Sequence, residues 1–160
     1  MYRIVLIVAC SSVLALAAED DCKQLAHPKY MRCCKTPPPI KEEEREDMKE
    51  CFKLMRKPPS CEAAVCLAKK QGYAANEDGK FDKEKLANTL QVSHSEDPVL
   101  LKNVMDKCVN GDLTAYGPPD FCDLIKLKHC ISMQILLGCS DFEIDGKCSG
   151  VKDLVDKCKV

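Results

Sequence analysis

The chain has 160 residues, 46% of them hydrophobic and 31% charged, with 24 Lys and Arg against 25 Asp and Glu and a net charge of -1. A near-neutral balance with interspersed signs excludes the basic face that nucleic acid requires. Thirteen cysteines, no tryptophan and only 5% aromatic residues point to a fold held by covalent staples as well as by its core.

The chain opens Met1-Tyr2-Arg3 and runs on as "IVLIVACSSVLALAA", with small residues at Ala15 and Ala17 and the acids Glu19-Asp20-Asp21 behind them. One positive charge, a short apolar run and small residues read as a secretory signal peptide over 1–18, cleaved near Ala17 or Ala18. A membrane anchor needs about 20 apolar residues, and the acids cut this run short. The expected mature protein is secreted, extracellular and soluble, a single domain over 19–160 with room for a real core.

Cys10 leaves with the leader. Twelve cysteines remain: Cys22, Cys33, Cys34, Cys51, Cys61, Cys66, Cys108, Cys122, Cys130, Cys139, Cys148 and Cys158. An even number in a secreted chain predicts six disulfides, but twelve cysteines pair in on the order of ten thousand ways, so connectivity stays open. The adjacent Cys33 and Cys34 are not expected to bond each other, since a disulfide needs diverging neighbours to converge. No C-x2-C pair occurs and His27, His94 and His129 are scattered, so no metal site is expected.

After Pro37-Pro38-Pro39, which hold a strap extended, a helix is predicted from Ile40 to about Arg56. Met48, Cys51, Phe52 and Met55 form its apolar stripe, and Pro58-Pro59 stop it. Ser60 caps "CEAAVCLAKKQ", with Gly72 behind it. Asp82 caps "KEKLANTL", where Leu86 and Leu90 share a face. Asp97-Pro98 start "VLLKNVMDKCV", with Leu101, Val104, Met105 and Cys108 on one side and Asn110-Gly111 ending it. The longest helix runs from Phe121 to Leu137, its second half apolar nearly all round and therefore buried. "GVKDLVDKC" is a short last helix. No strand pattern persists. The fold class is all-α, a compact bundle of about six short helices stapled by about six disulfides.

Enzyme motifs fail on inspection. A calcium loop with Gly79 at its sixth position would need carboxylates where Ala74 and Lys85 stand. Phospholipase A2 chemistry needs a His beside an Asp, and none of the three histidines has one. No G-x-S-x-G elbow exists. Plant lipid-transfer scaffolds add a C-x-C that is missing here. No enzyme activity and no cofactor are expected. Six methionines make a soft, adaptable interior.

The cysteine spacing adds a resemblance. Cys34 is followed after 26 residues by Cys61, then Cys66, then after 41 residues Cys108, then Cys130-x8-Cys139. This resembles the six-cysteine pattern of the insect odorant-binding proteins, and "PPSCEAAVCLAKKQGYAANEDGKFDKEKL" looks like that family's third helix and following turn. The twelve-cysteine count is similar to its Plus-C branch. Two features depart from the pattern: four residues, not three, separate Cys61 from Cys66, and Ser140, not Pro, follows Cys139.

The resemblance implies pairs Cys34–Cys66, Cys61–Cys130 and Cys108–Cys139, with Cys33 exchangeable for Cys34 and the other of the two tied to Cys22 or Cys51. It implies helices around an apolar cavity and a small apolar ligand such as an odorant, semiochemical or lipid-like compound. Delivery to a membrane receptor, by a monomer or homodimer, goes with it. The helical faces put Met48, Phe52, Met55, Leu86, Leu90, Leu101, Met105, Met133, Leu136, Leu137 and Phe142 on the expected cavity wall. The alternative is a secreted interaction protein that fills its core and binds a protein partner.

Overall fold

The computed structural model describes residues 22–36, 42–55, 60–73, 76 and 78–159. The expected leader, the expected strap at Pro37–Pro39, the predicted helix start at Ile40 and the predicted stop at Pro58-Pro59 lie outside them. Six α-helices and no strand occur among the described residues. They are α1 (Glu42–Phe52), α2 (Cys61–Lys70), α3 (Lys83–Ser93), α4 (Pro98–Val104), α5 (Asp123–Gly138) and α6 (Val151–Cys158). Two 3-10 turns, Gln24–Ala26 and Pro28–Cys33, precede them. No helix among the described residues is long and apolar enough to cross a membrane.

Local chemistry accounts for most boundaries. The Asp82 carboxylate accepts from the Glu84 and Lys85 amides at 3.0 and 3.1 Å, and that of Asp97 from the Leu100 amide at 2.9 Å. Each satisfies helix-end amides that have no partner within the helix. Ser60 occupies the cap position of α2 with extended backbone, but its side chain makes no capping bond. Gly72 follows α2 at φ +82°, where glycine is favoured.

Two departures rotate side chains. After Phe52 the backbone bonds become i to i-3, with Met55 N–H donating to the Phe52 carbonyl at 3.0 Å. This leaves Met55 61% exposed rather than on the stripe of α1. Beyond Val104 the helix continues as a π-turn over Met105–Val109, closed by Asn110 N–H to the Met105 carbonyl at 3.0 Å. The wider turn brings both Cys108 and Val109 inward, and on α4 it is Leu100, not Leu101, that is buried.

The buried residues form two cores that share α5. The first joins Val65 and Ala68 of α2, Leu86 and Leu90 of α3, Leu100 and Val104 of α4, and Leu124, Leu127 and Cys130 of α5. The second sets Leu136 against Leu25, Cys33, Cys34, Phe142, Val151 and Val155. Along the long helix Leu124, Leu127, Cys130, Ile131 and Ile135 pack on the first core, and Met133, Leu136 and Leu137 on the second.

Six disulfides tie these parts, and the three pairs implied above are corrected. The bonds are Cys22–Cys158, Cys33–Cys148, Cys34–Cys139, Cys51–Cys66, Cys61–Cys122 and Cys108–Cys130. The reason lies along α5. Cys122, Cys130 and Cys139 stand eight and nine residues apart, roughly 12–14 Å at helical rise, far beyond a disulfide's reach. Cys108 in the π-turn faces the middle of α5 and takes Cys130, not Cys139. Cys61 meets the start of the helix and takes Cys122, not Cys130. Cys51, buried on α1, faces α2 and takes Cys66, so Cys34 is left for the end of α5.

The first three bonds are nested, closing sequence separations of 136, 115 and 105 residues. The last three interlock. Among Cys51, Cys61, Cys66, Cys108, Cys122 and Cys130 the first joins the third, the second the fifth and the fourth the sixth. That order is the one the resemblance implied, moved onto different cysteines at three of the six places.

Cys33 and Cys34 therefore both anchor the N-terminal strap to the C-terminal segment. Backbone turning extended at Cys34 (φ -88°, ψ 120°) sends neighbouring side chains to opposite sides, one toward Cys148 and one toward Cys139. Glu143 N–H donates to the Cys33 carbonyl at 2.8 Å and Lys35 N–H to the Asp141 carbonyl at 2.9 Å, closing the clip.

Candidate functional site

A cleft of about 740 Å³ opens over the first core. Its floor is a stripe on α5, Leu124, Leu127, Ile131 and Ile135, spaced three to four residues apart so that one helical face carries them all. Leu86 and Leu90 of α3, Leu100 of α4 and Ala64 and Leu67 of α2 complete the apolar wall, with Met48 of α1 beside them. The Cys34–Cys139 disulfide lines one part of the same cleft with Thr36, Gly138 and Ser140.

Polar groups are set into this wall. Thr89, Ser93 and His94 bring the last turns of α3 to it. Tyr73 donates its hydroxyl to Gln71 Oε1 at 2.7 Å, and burial pushes its phenol up to about 12. Lys70 bridges to Asp47 at 3.0 Å and Glu50 at 2.6 Å, joining α2 to α1 at the rim. Hydrogen bonds to Glu50 and then Asp47 raise its pKa. Lys128 of α5 also lines the cleft, but its side chain is exposed and its ammonium stands 5.4 Å from the centre of the ring of Phe52, which is not part of the lining. Desolvation lowers its pKa.

Of the expected wall residues the cleft brings together Met48, Leu86 and Leu90. Leu101 and Met105 pack half-buried against the first core. Leu136 and Phe142 are buried in the second, with Met133 and Leu137 packed against it. Phe52 and Met55 are exposed. The α5 stripe was the missed signal. Its 124-127-131-135 spacing is plain in the sequence, but the apolar residues on the other faces of the helix mask it. The polar wall had no sequence signal.

His129 does not face the cleft as a free base. Its Nδ1–H donates to the Tyr116 carbonyl at 2.9 Å and its ring is tilted against Phe121, with centroids 6.0 Å apart. Burial, the largest influence, lowers its pKa. Among the described residues no three His, Cys, Asp or Glu side chains gather as a metal site.

No family model, curated protein or solved structure matches the chain.

Proposed function

We propose that this protein is a secreted, non-enzymatic carrier of small hydrophobic molecules, an odorant-binding-protein-like scaffold that moves odorants, semiochemicals or lipid-like compounds through aqueous fluid. The observation that carries this reading is the cleft. Its volume falls within the range of small-molecule sites, and its lining sets apolar side chains of α2, α3, α4 and α5 beside about as many polar and charged ones. Physically, the staples make the cleft affordable: an unfilled space over a core forfeits packing, and cross-links each typically worth about 2–4 kcal/mol, though not additively, offset that loss.

The test is titration of the oxidised protein, residues 19–160, with an environment-sensitive apolar dye, then competition with volatiles and fatty acids. Saturable binding near one dye per chain with displacement supports the carrier. Absence of saturable binding by folded, fully oxidised protein favours the interaction-protein reading. That second reading has an observation of its own. Phe52, Leu54 and Met55 stand exposed together at the end of α1, an apolar patch of the kind partners use.

A further inference from the structure

Resting on the carrier reading, we propose that the cleft selects apolar ligands that bear a carboxylate, with Lys128 as the headgroup partner. Lys128 sits on the cleft-facing side of α5. Leu124 is four residues before it, Ile131 three after it and Ser132 four after it, and all line the same wall. A ligand lying along that stripe presents its polar end to the Lys128 ammonium.

The charges around the cleft leave this position open. Asp47 and Glu50 are held by Lys70. The Asp97 carboxylate is engaged by the Leu100 amide at the start of α4. Glu96 and His94, at the α3–α4 turn, line the same cleft. Among the described residues no carboxylate forms an ion pair with Lys128. Among the described residues its ammonium stands against the face of Phe52, which attracts a cation but offers it no hydrogen-bond acceptor. Lys128 is exposed at the edge of that wall, so its ammonium, with no carboxylate paired to it among the described residues, is open to an anionic acceptor through a charge-assisted hydrogen bond. A single compact charge suits a monoanion, so the class is the single-chain carboxylic acid rather than a doubly charged headgroup.

The experiment compares a medium-chain saturated fatty acid with the alcohol and the amine of the same chain length at neutral pH, on wild type, Lys128→Met and Lys128→Arg. The expected result is an acid bound roughly tenfold more tightly than the alcohol, the scale of one charge-assisted hydrogen bond at a partly wet site, with the amine weakest. Lys128→Met should close the gap without weakening the alcohol, and Lys128→Arg should keep it. Equal binding of acid and alcohol by wild type, or a gap that survives Lys128→Met, overturns the proposal and leaves the carrier reading standing. If none of the three ligands binds saturably, the carrier reading falls and this proposal with it.

Discussion

The sulfur of Cys61 stands where any side chain on Gly79 would have to be. A Cβ there would also lie 2.9 Å from the Cys122 sulfur, so the Cys61–Cys122 bond lies across the Asn76–Lys80 turn. The Gly79 carbonyl accepts from the Leu124 amide at 3.1 Å. Turn, disulfide and the first turn of α5 form one knot, and Gly79 sits in it at φ +76°. Gly79→Ala should therefore cost more than about 2 kcal/mol, strain and overpacking together. Gly72→Ala is the control: its φ is also positive, but nothing lies within 4 Å of the added carbon, so about 1 kcal/mol is expected. Urea denaturation of the oxidised proteins compares the two, and equal losses would show that the disulfide does not crowd the turn.

The nested bonds make a chemical prediction. Cys34→Ser should leave Cys139 as the free thiol, identified by alkylation and peptide mapping without reduction. Cys66 should stay bonded to Cys51. A free Cys66 would restore the pairing that the family resemblance implied. Losing one native bond should cost about 2–5 kcal/mol.

Two neighbours on α5 separate cleft from core. Ile135 lines the cleft, whereas Leu136 is fully buried in the second core. Ile135→Trp should occupy the cleft and lower dye affinity with little loss of stability. Leu136→Ala should destabilise by about 2–5 kcal/mol and leave dye affinity unchanged. The reverse pattern in dye titrations and urea melts would move the binding site to the second core.

His129 should make stability pH-dependent. Its pKa in the fold lies below the ordinary 6.5, so on acidification the unfolded chain takes up the proton first. Below about pH 6.5 stability then falls with pH until the folded-state pKa is passed, and it is insensitive to this group above that window. His129→Gln should flatten that part of the profile. Unfolding free energies of both proteins between neutral and mildly acidic pH, compared as slopes, check the prediction; parallel slopes would remove His129 as the cause.

Much of the helix order was legible because its signals are local. Asp82 and Asp97 cap within three residues, Pro98 opens α4, and Asn110-Gly111 close the segment after it. The apolar second half of the Phe121–Leu137 stretch needed only its own composition to read as buried helix. By itself the sequence also pointed to a stapled all-α fold, with the twelve cysteines beyond the expected leader in disulfides. Tertiary structure decided which cysteine meets which, because a disulfide depends on distances between elements that spacing along the chain does not encode. It also decided which side of α5 faces open space. That helix is apolar on several faces, and only the packing of α2, α3 and α4 leaves Ile131 and Ile135 partly open to the cleft while Leu136, one residue further on, is sealed in a core.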